Sequence, residues 1–314
     1  MARLQLDPAA AAGRLQALAT AGANRVRSPL TRHYRAGLGP PGSRGPGRGR
    51  GRPVPLHVLR RQPNWPLARP GRLAVLLAIA ILPGPTHADE VLVAVASNFR
   101  GTMATLAEGF EAATGHRLVL AAGSTGKHYA QIRSGAPFHA FFAADAERPR
   151  LLEQEGRALA GSRFTYALGA LVLWSPRPEL VDSEGRVLAS AQFRRLAIAN
   201  PELAPYGMAA VQVLGALGLD PSLGGRVVRG ENIAQAFQFV RSGNAELGFI
   251  ARSQWYTGAV RHRGSAWPVP PALHAPIRQQ AVLLTDRTAA RALLEYVRGE
   301  EALRTIEASG YLRP

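Results

Sequence analysis

Val91-Leu92-Val93-Ala94-Val95-Ala96-Ser97-Asn98-Phe99 opens the stretch that decides the fold. Six apolar residues in a row read as a strand covered on both faces, because a half-exposed strand would alternate apolar with polar. Directly after it, Met103, Leu106, Phe110 and Ala113 recur at helical spacing and stop at Gly115, a residue suited to ending a helix. A second strand is expected over 117–122 and a short helix over 125–134. A third strand over 138–143 and a helix over 146–155 follow, with Gly135 and Gly156 closing the two helices. This βαβαβα order predicts a mostly parallel sheet with helices on both faces.

The same grammar repeats downstream. Strands are expected over 170–174, 196–199, 226–228 and 246–251, with helices between them at about 206–217 and 231–241. A strand over 280–284 and helices over 288–298 and 300–308 complete the chain. Two α/β lobes are therefore predicted.

Upstream of Asp89 the chain changes character. The full sequence carries a formal charge of +17, but residues 1–88 hold fourteen Arg against one acid, Asp7, so the remainder is close to neutral. A nucleic-acid-binding domain should carry its basic footprint on the folded surface, and here it does not. Residues 1–57 form an Arg/Gly/Pro-rich extension with few core-forming residues, expected to be disordered or, with Val58 as an alternative start, not translated. An Arg-rich tail that binds nucleic acid is the alternative of a different class. Residues 58–88 read as a signal peptide. Arg60, Arg61, Arg69 and Arg72 precede ten apolar residues, Leu73 to Leu82, and Thr86 and Ala88 are the small residues before a cut at Asp89. Ten residues are too few to span a bilayer, which needs ~20. The absence of Cys excludes thiol catalysis, disulfides and a lipid-anchored Cys.

In open α/β sheets ligands bind beyond the carboxyl ends of strands, where helix N-termini present unpaired N–H groups. The junctions with that potential are Ser97-Asn98-Phe99, Gly123-Ser124-Thr125-Gly126-Lys127, Asn200 with Pro205-Tyr206-Gly207, and Gly230-Glu231-Asn232-Ile233. Each offers hydroxyl, amide or backbone donors, suited to an uncharged cage for an anion. Singly each reads as ordinary helix capping; the recurrence in both lobes points to a site. A phosphate-binding P-loop is excluded at 123–128, since Ala121 stands where its first Gly belongs and His128 where Ser or Thr must follow Lys127. No zinc-protease motif or nucleophile elbow is present, and the eight His are scattered. Asp145 and Glu147 are explained by charge at a helix start.

Through these junctions, and through Gln131-Ile132, Gly135-Ala136-Pro137-Phe138, Ala143-Ala144-Asp145, Ala199-Asn200-Pro201, 242–248 and Ala275-Pro276-Ile277-Arg278-Gln279, residues 89–314 resemble the periplasmic molybdate-binding proteins of ABC importers. The resemblance implies a two-lobed periplasmic-binding-protein fold of type II. It has two mixed, mostly parallel sheets with helices on both faces and a ligand cleft between the lobes. Lobe one is expected over 89–168 with 281–314 and lobe two over 169–280, with crossings near 166–171 and 278–283. The implied ligand is molybdate or tungstate, with another tetrahedral oxyanion such as sulfate as the alternative, with no cofactor and no direct metal ligand, held by Ser97, Asn98, Ser124, Thr125, Tyr206 and Ile233. Some relatives carry a binding Tyr where Ala251 stands, so the resemblance moves the phenol to Tyr206. It also implies a monomer that is not an enzyme, sits in the periplasm, delivers its ligand to a membrane permease and binds no nucleic acid.

Overall fold

The computed structural model describes residues 88–190, 192–257, 260 and 263–314; the expected N-terminal extension and all but the last residue of the expected signal peptide lie outside the described residues. Strand β1 (Glu90–Ala96) runs parallel to β2 (Arg117–Gly123) on one side and β3 (Ala140–Ala143) on the other. Its unbroken apolar run has a simple cause. Val91, Val93 and Val95 pack on one face with Met103, Leu106 and Phe110 of helix α1 (Arg100–Thr114), while Ala94 packs on the other with Ile132, Phe141 and Leu152. Full burial of a Phe, Met or Leu side chain contributes roughly 1.5–3 kcal/mol. That apolar face holds α1 in place, since its N-cap, Phe99, makes no side-chain capping bond. Gly115 ends the helix at φ 72°, the left-handed conformation its sequence position predicts.

Helices α2 (Thr125–Arg133) and α3 (Glu147–Gln154) follow β2 and β3, and strand β4 (Phe164–Gly169) completes the first run. The second run comprises β5 (Leu171–Ser175), α4 (Val187–Ser190), β6 (Leu196–Ala199), α5 (Pro205–Ala216), β7 (Val227–Gly230), α6 (Ile233–Arg241), β8 (Leu247–Ala251), α7 (Arg252–Tyr256) and β9 (Ser265–Pro268). A 3-10 turn (Pro271–Leu273), β10 (Ile277–Leu283), α8 (Thr288–Arg298) and α9 (Glu300–Ala308) finish the chain.

Two five-stranded sheets result, ordered β2-β1-β3-β10-β4 and β7-β6-β8-β5-β9. The plans are equivalent. In each, three strands are parallel neighbours, and a fourth enters antiparallel between the third and an edge strand. The chain passes from the first sheet to the second at Gly169-Ala170-Leu171 and returns between β9 and β10.

The return differs from the sequence expectation. All of β10 pairs within the first sheet, from Ile277 opposite Gly169 to Leu283 opposite Ala140, so a boundary at 281 would cut a strand, and the crossing precedes Ile277 rather than occupying 278–283. The polar Arg278-Gln279-Gln280 segment hid the strand's first half, and a register shift at Gln279/Gln280 breaks its alternation. Strand β9 was likewise not anticipated. It is a sheet edge ending in Pro268, where a missing N–H is tolerated, and its apolar signal rests mainly on Trp267.

Candidate functional site

The helices α1, α2, α5 and α6 each follow a parallel strand, and their N-terminal ends meet between the sheets. They line a small cavity, of about 10 Å³, formed by Ala96, Ser97, Asn98, Gly123, Ser124, Thr125, Ala144, Ala204, Pro205, Tyr206, Asn232 and Ile233. All six residues singled out from the sequence, Ser97, Asn98, Ser124, Thr125, Tyr206 and Ile233, are therefore brought to one place. Thr125 and Ile233 are the first residues of their helices and Tyr206 the second of its own, positions whose N–H groups have no intrahelical acceptor. Asn232 caps α6, its Oδ1 accepting from the Gln235 N–H at 3.1 Å. Pro205 opens α5 with a preset φ and no N–H to leave unpaired.

Hydrogen-bond direction gives the cavity its chemistry. Thr125 Oγ1 accepts from the Ala144 N–H at 3.0 Å, Ser97 Oγ from the Ala234 N–H at 3.4 Å, and the Tyr206 hydroxyl oxygen from Gln279 Nε2 at 3.1 Å. With those oxygens already accepting, each O–H proton is available to the cavity. The buried Ser124 Oγ meets no hydrogen-bond partner among the described residues. Burial, followed by the neighbouring Tyr311, holds the Tyr206 phenol well above the usual tyrosine range and outweighs the opposing bond from Gln279, so it remains a donor. Among the described residues, no charged side chain lines the cavity. Two wider grooves adjoin it, of about 660 and 400 Å³; the first mixes Arg148, Arg150, Arg163 and Arg278 with Asp145, Glu147 and Glu202, and the second carries Arg100 and Arg241, so neither offers the same neutral donor set.

Bonds between the two sheets' elements close the cavity. Gly126 N–H donates to Leu203 C=O at 2.8 Å, Arg148 Nη2 to Glu202 C=O at 2.9 Å, and Lys127 Nζ pairs with Glu231 at 3.1 Å. Arg148 also pairs with Asp145, whose carboxyl burial pushes up and Arg148 pulls back down. Lys127 thus sits at the rim, half exposed and already paired, and not in the cage.

Two equivalent mixed sheets and a shared donor cavity are what a two-lobed binding protein needs. Residues 91–312 match the family described as bacterial extracellular solute-binding protein. This chain belongs to that family. Among curated relatives it is 51% identical over 243 residues to the molybdate-binding protein ModA of Azotobacter vinelandii, covering 76% of this chain and 96% of the relative. It is 43% identical over 243 residues to the molybdate-binding protein ModA of Rhodobacter capsulatus, covering 76% and 94%. The solved periplasmic molybdate-binding protein of Azotobacter vinelandii superposes with a TM-score of 0.69 at 44% identity, covering 71% of this chain and 99% of that one. The fold is the two-lobed type II plan expected from the sequence.

This solute-binding chain carries a second layer that the sequence did not reveal. Gln279, fully buried on β10, accepts at Oε1 from Asn98 Nδ2 at 2.8 Å and from the Tyr166 hydroxyl at 3.1 Å. Tyr311, beyond α9, donates to Asn98 C=O at 2.8 Å, and Ser253 Oγ reaches the same carbonyl at 3.4 Å. A Cβ at Gly169 would come within 2.8 Å of Gln279 Nε2 and closer still to the Tyr206 hydroxyl, so glycine at the first crossing makes room for that pair. Gln279 closes one of the quoted motifs, which is its only local signal; Tyr166 and Tyr311 have none.

His128 lies behind the Ser124-Thr125 turn, 4% exposed, edge-on to Phe138 and Phe141. Burial lowers its pKa below the ordinary histidine value, opposed by Gln131 and the Val95 and Ala121 carbonyls and assisted by the Lys127 charge. The unfolded chain takes up this proton below about pH 6.5 while the folded chain resists it. The stability His128 contributes is thus fully present above that pH and is lost as pH falls from there through the lowered folded value. The melting temperature should drop on acidification from about pH 7.5 to about 5.5, and drop less in His128→Gln. Equal drops would exclude His128 as a source.

Proposed function

We propose that this chain captures molybdate, and equally tungstate, between its lobes in the periplasm and delivers it to the permease of an ABC importer. The observation that carries this reading is the cavity itself, closed by both lobes, uncharged, and lined by hydroxyls whose oxygens mostly accept N–H groups already. Such a cage offers protons and little else, which suits a fully deprotonated oxyanion. Neutral donors and helix N-termini stabilise that charge without a counter-ion. The molybdate-binding names of the relatives at 51% and 43% identity supply the ion.

Binding selects the closed arrangement, and the Lys127–Glu231, Arg148–Glu202 and Gly126–Leu203 contacts that span the lobes break when it opens. The reading holds the protein to be a monomer without cofactor or catalytic turnover, with Ser97, Asn98, Ser124, Thr125, Tyr206 and Ile233 as the ligand set. Export follows from residues 58–88 acting as a signal peptide cut before Asp89. Residues 89–168 with 277–314 form one lobe and 169–276 the other.

A thermal-shift series with molybdate, tungstate, sulfate and phosphate tests the assignment. Molybdate and tungstate should raise the melting point at micromolar concentration. Stabilisation by none of the four would reject the oxyanion reading, and mass analysis of exported protein that begins anywhere but Asp89 would reject the processing step.

A further inference from the structure

We propose that Gln279 is a positioning residue that fixes the Tyr206 hydroxyl as a donor to the bound anion, at the end of a one-way hydrogen-bond relay that begins at the Asn98 main-chain carbonyl. The inference rests on the anion-binding reading above and adds to it the device that sets the polarity of the cage.

Direction along the relay follows from chemistry. A carbonyl can only accept, so the Tyr311 hydroxyl, 2.8 Å from Asn98 C=O, donates its single proton there. Its oxygen is then the acceptor for Asn98 Nδ2 at 3.1 Å, which turns the Asn98 amide nitrogen inward. The same nitrogen faces Gln279 at 2.8 Å, so Gln279 presents Oε1 to it. Tyr166 meets the same Oε1 at 3.1 Å, but its single proton also faces the Ala143 carbonyl at 3.1 Å, so the direction of the Gln279 amide rests on Asn98. The other end of the Gln279 amide is then necessarily Nε2–H, and it donates to the Tyr206 oxygen at 3.1 Å. With its oxygen occupied, the phenol has its own proton free for the cavity it lines. Reverse any member and Tyr206 would spend that proton on Gln279.

Burial makes the arrangement firm. Gln279, Asn98, Tyr206, Tyr166 and Tyr311 are all at most 5% exposed, so water cannot substitute for a lost member. The relay also bridges the lobes, since Gln279 belongs to the first sheet and Tyr206 to α5 beside the second. Asn98 retains Tyr311 when Gln279 is removed, whereas Gln279 is the hydrogen-bond partner that orients the Tyr206 phenol. The effect of removing Gln279 should therefore pass mainly through Tyr206.

The test is a double-mutant cycle by calorimetry with molybdate on the full chain, using Gln279→Met, Tyr206→Phe and the double variant, with ligand-free melting of each as a check on folding. Gln279→Met should weaken binding about tenfold in the wild-type background and less than about threefold when Tyr206 is already Phe. Gln279→Glu, whose carboxylate can only accept, should weaken it more than Gln279→Met. If Gln279→Met melts too low to titrate, Tyr311→Phe, which breaks the relay at its far end, replaces it in the cycle with the same expected coupling. Additive losses in the cycle, or a Gln279→Met protein that binds like the wild type, would overturn the relay while leaving anion capture standing. Failure of the wild type to bind any tetrahedral oxyanion would overturn both.

Discussion

Thr125→Ala should weaken molybdate binding roughly ten- to a hundredfold, while Lys127→Ala should change it by less than about fivefold. The contrast is the most direct test of a neutral cage. Thr125 is 1% exposed and holds two roles, since its oxygen accepts the buried Ala144 N–H and its proton is left for the anion. A hydrogen bond to a charged group contributes about 1.5–3 kcal/mol, and truncation also leaves the Ala144 donor unpaired. Lys127, the chain's only lysine, carries a full charge and stands two residues away, so a charge-based site would depend on it. Its ammonium instead pairs with Glu231 at 3.1 Å, with both side chains more than 40% exposed. Exposed pairs of this kind contribute about 0.2–1 kcal/mol. Calorimetry on the two variants separates the cases, and loss of binding in Lys127→Ala alone would mean that the anion is held by an ion pair.

The six ligand candidates were legible because each belongs to a local pattern. A buried strand ends, a small or hydroxyl residue follows, and a helix begins; that pattern is set by capping and by the dipole, within four or five residues of sequence. The fold was legible for a similar reason, since strands such as β1 announce burial on both faces by an unbroken apolar run. What stayed hidden depends on distant partners. Asn98 meets Gln279 across 181 residues and Tyr311 across 213, and nothing local to Tyr311 tells a core aromatic from a member of a polar network. The start of β10 was concealed by its polarity, because Gln279 faces the interlobe network while Arg278 is exposed and Gln280 bonds Arg163 and Thr165, and the three interrupt the hydrophobic pattern by which a strand is read. The direction of the hydrogen bonds could not be read from residue types at all, since Ser, Thr, Tyr and Asn donate or accept according to their neighbours.

That direction decides selectivity, and sulfate and phosphate should bind at least a hundredfold more weakly than molybdate, with tungstate within about tenfold of it. All are tetrahedral oxyanions, so charge alone cannot separate molybdate from sulfate. Size does. The metal–oxygen bonds of molybdate and tungstate are alike and longer than the sulfur–oxygen bond, and the donors here are fixed by the ends of four separate helices and by the bonds behind them. Around the smaller ion several donors must fall short together. Each buried donor left unpaired costs about 1–3 kcal/mol, so two such losses already give roughly thirtyfold to ten-thousandfold discrimination. Phosphate is disfavoured by polarity as well, since near neutral pH it carries a proton that needs an acceptor. Thr125, Ser97 and Tyr206 each present an oxygen that already accepts an N–H and the Asn98 main-chain carbonyl is taken by Tyr311 and Ser253, so a protonated phosphate would have to turn the Ser124 hydroxyl from donor to acceptor. Raising the pH through neutrality takes phosphate from its doubly to its singly protonated form, which should narrow but not close the gap between phosphate and molybdate while leaving the gap between sulfate and molybdate unchanged. Competition calorimetry with the four anions at two pH values reads both effects, and sulfate binding as tightly as molybdate would reject the size argument and, with it, the molybdate assignment.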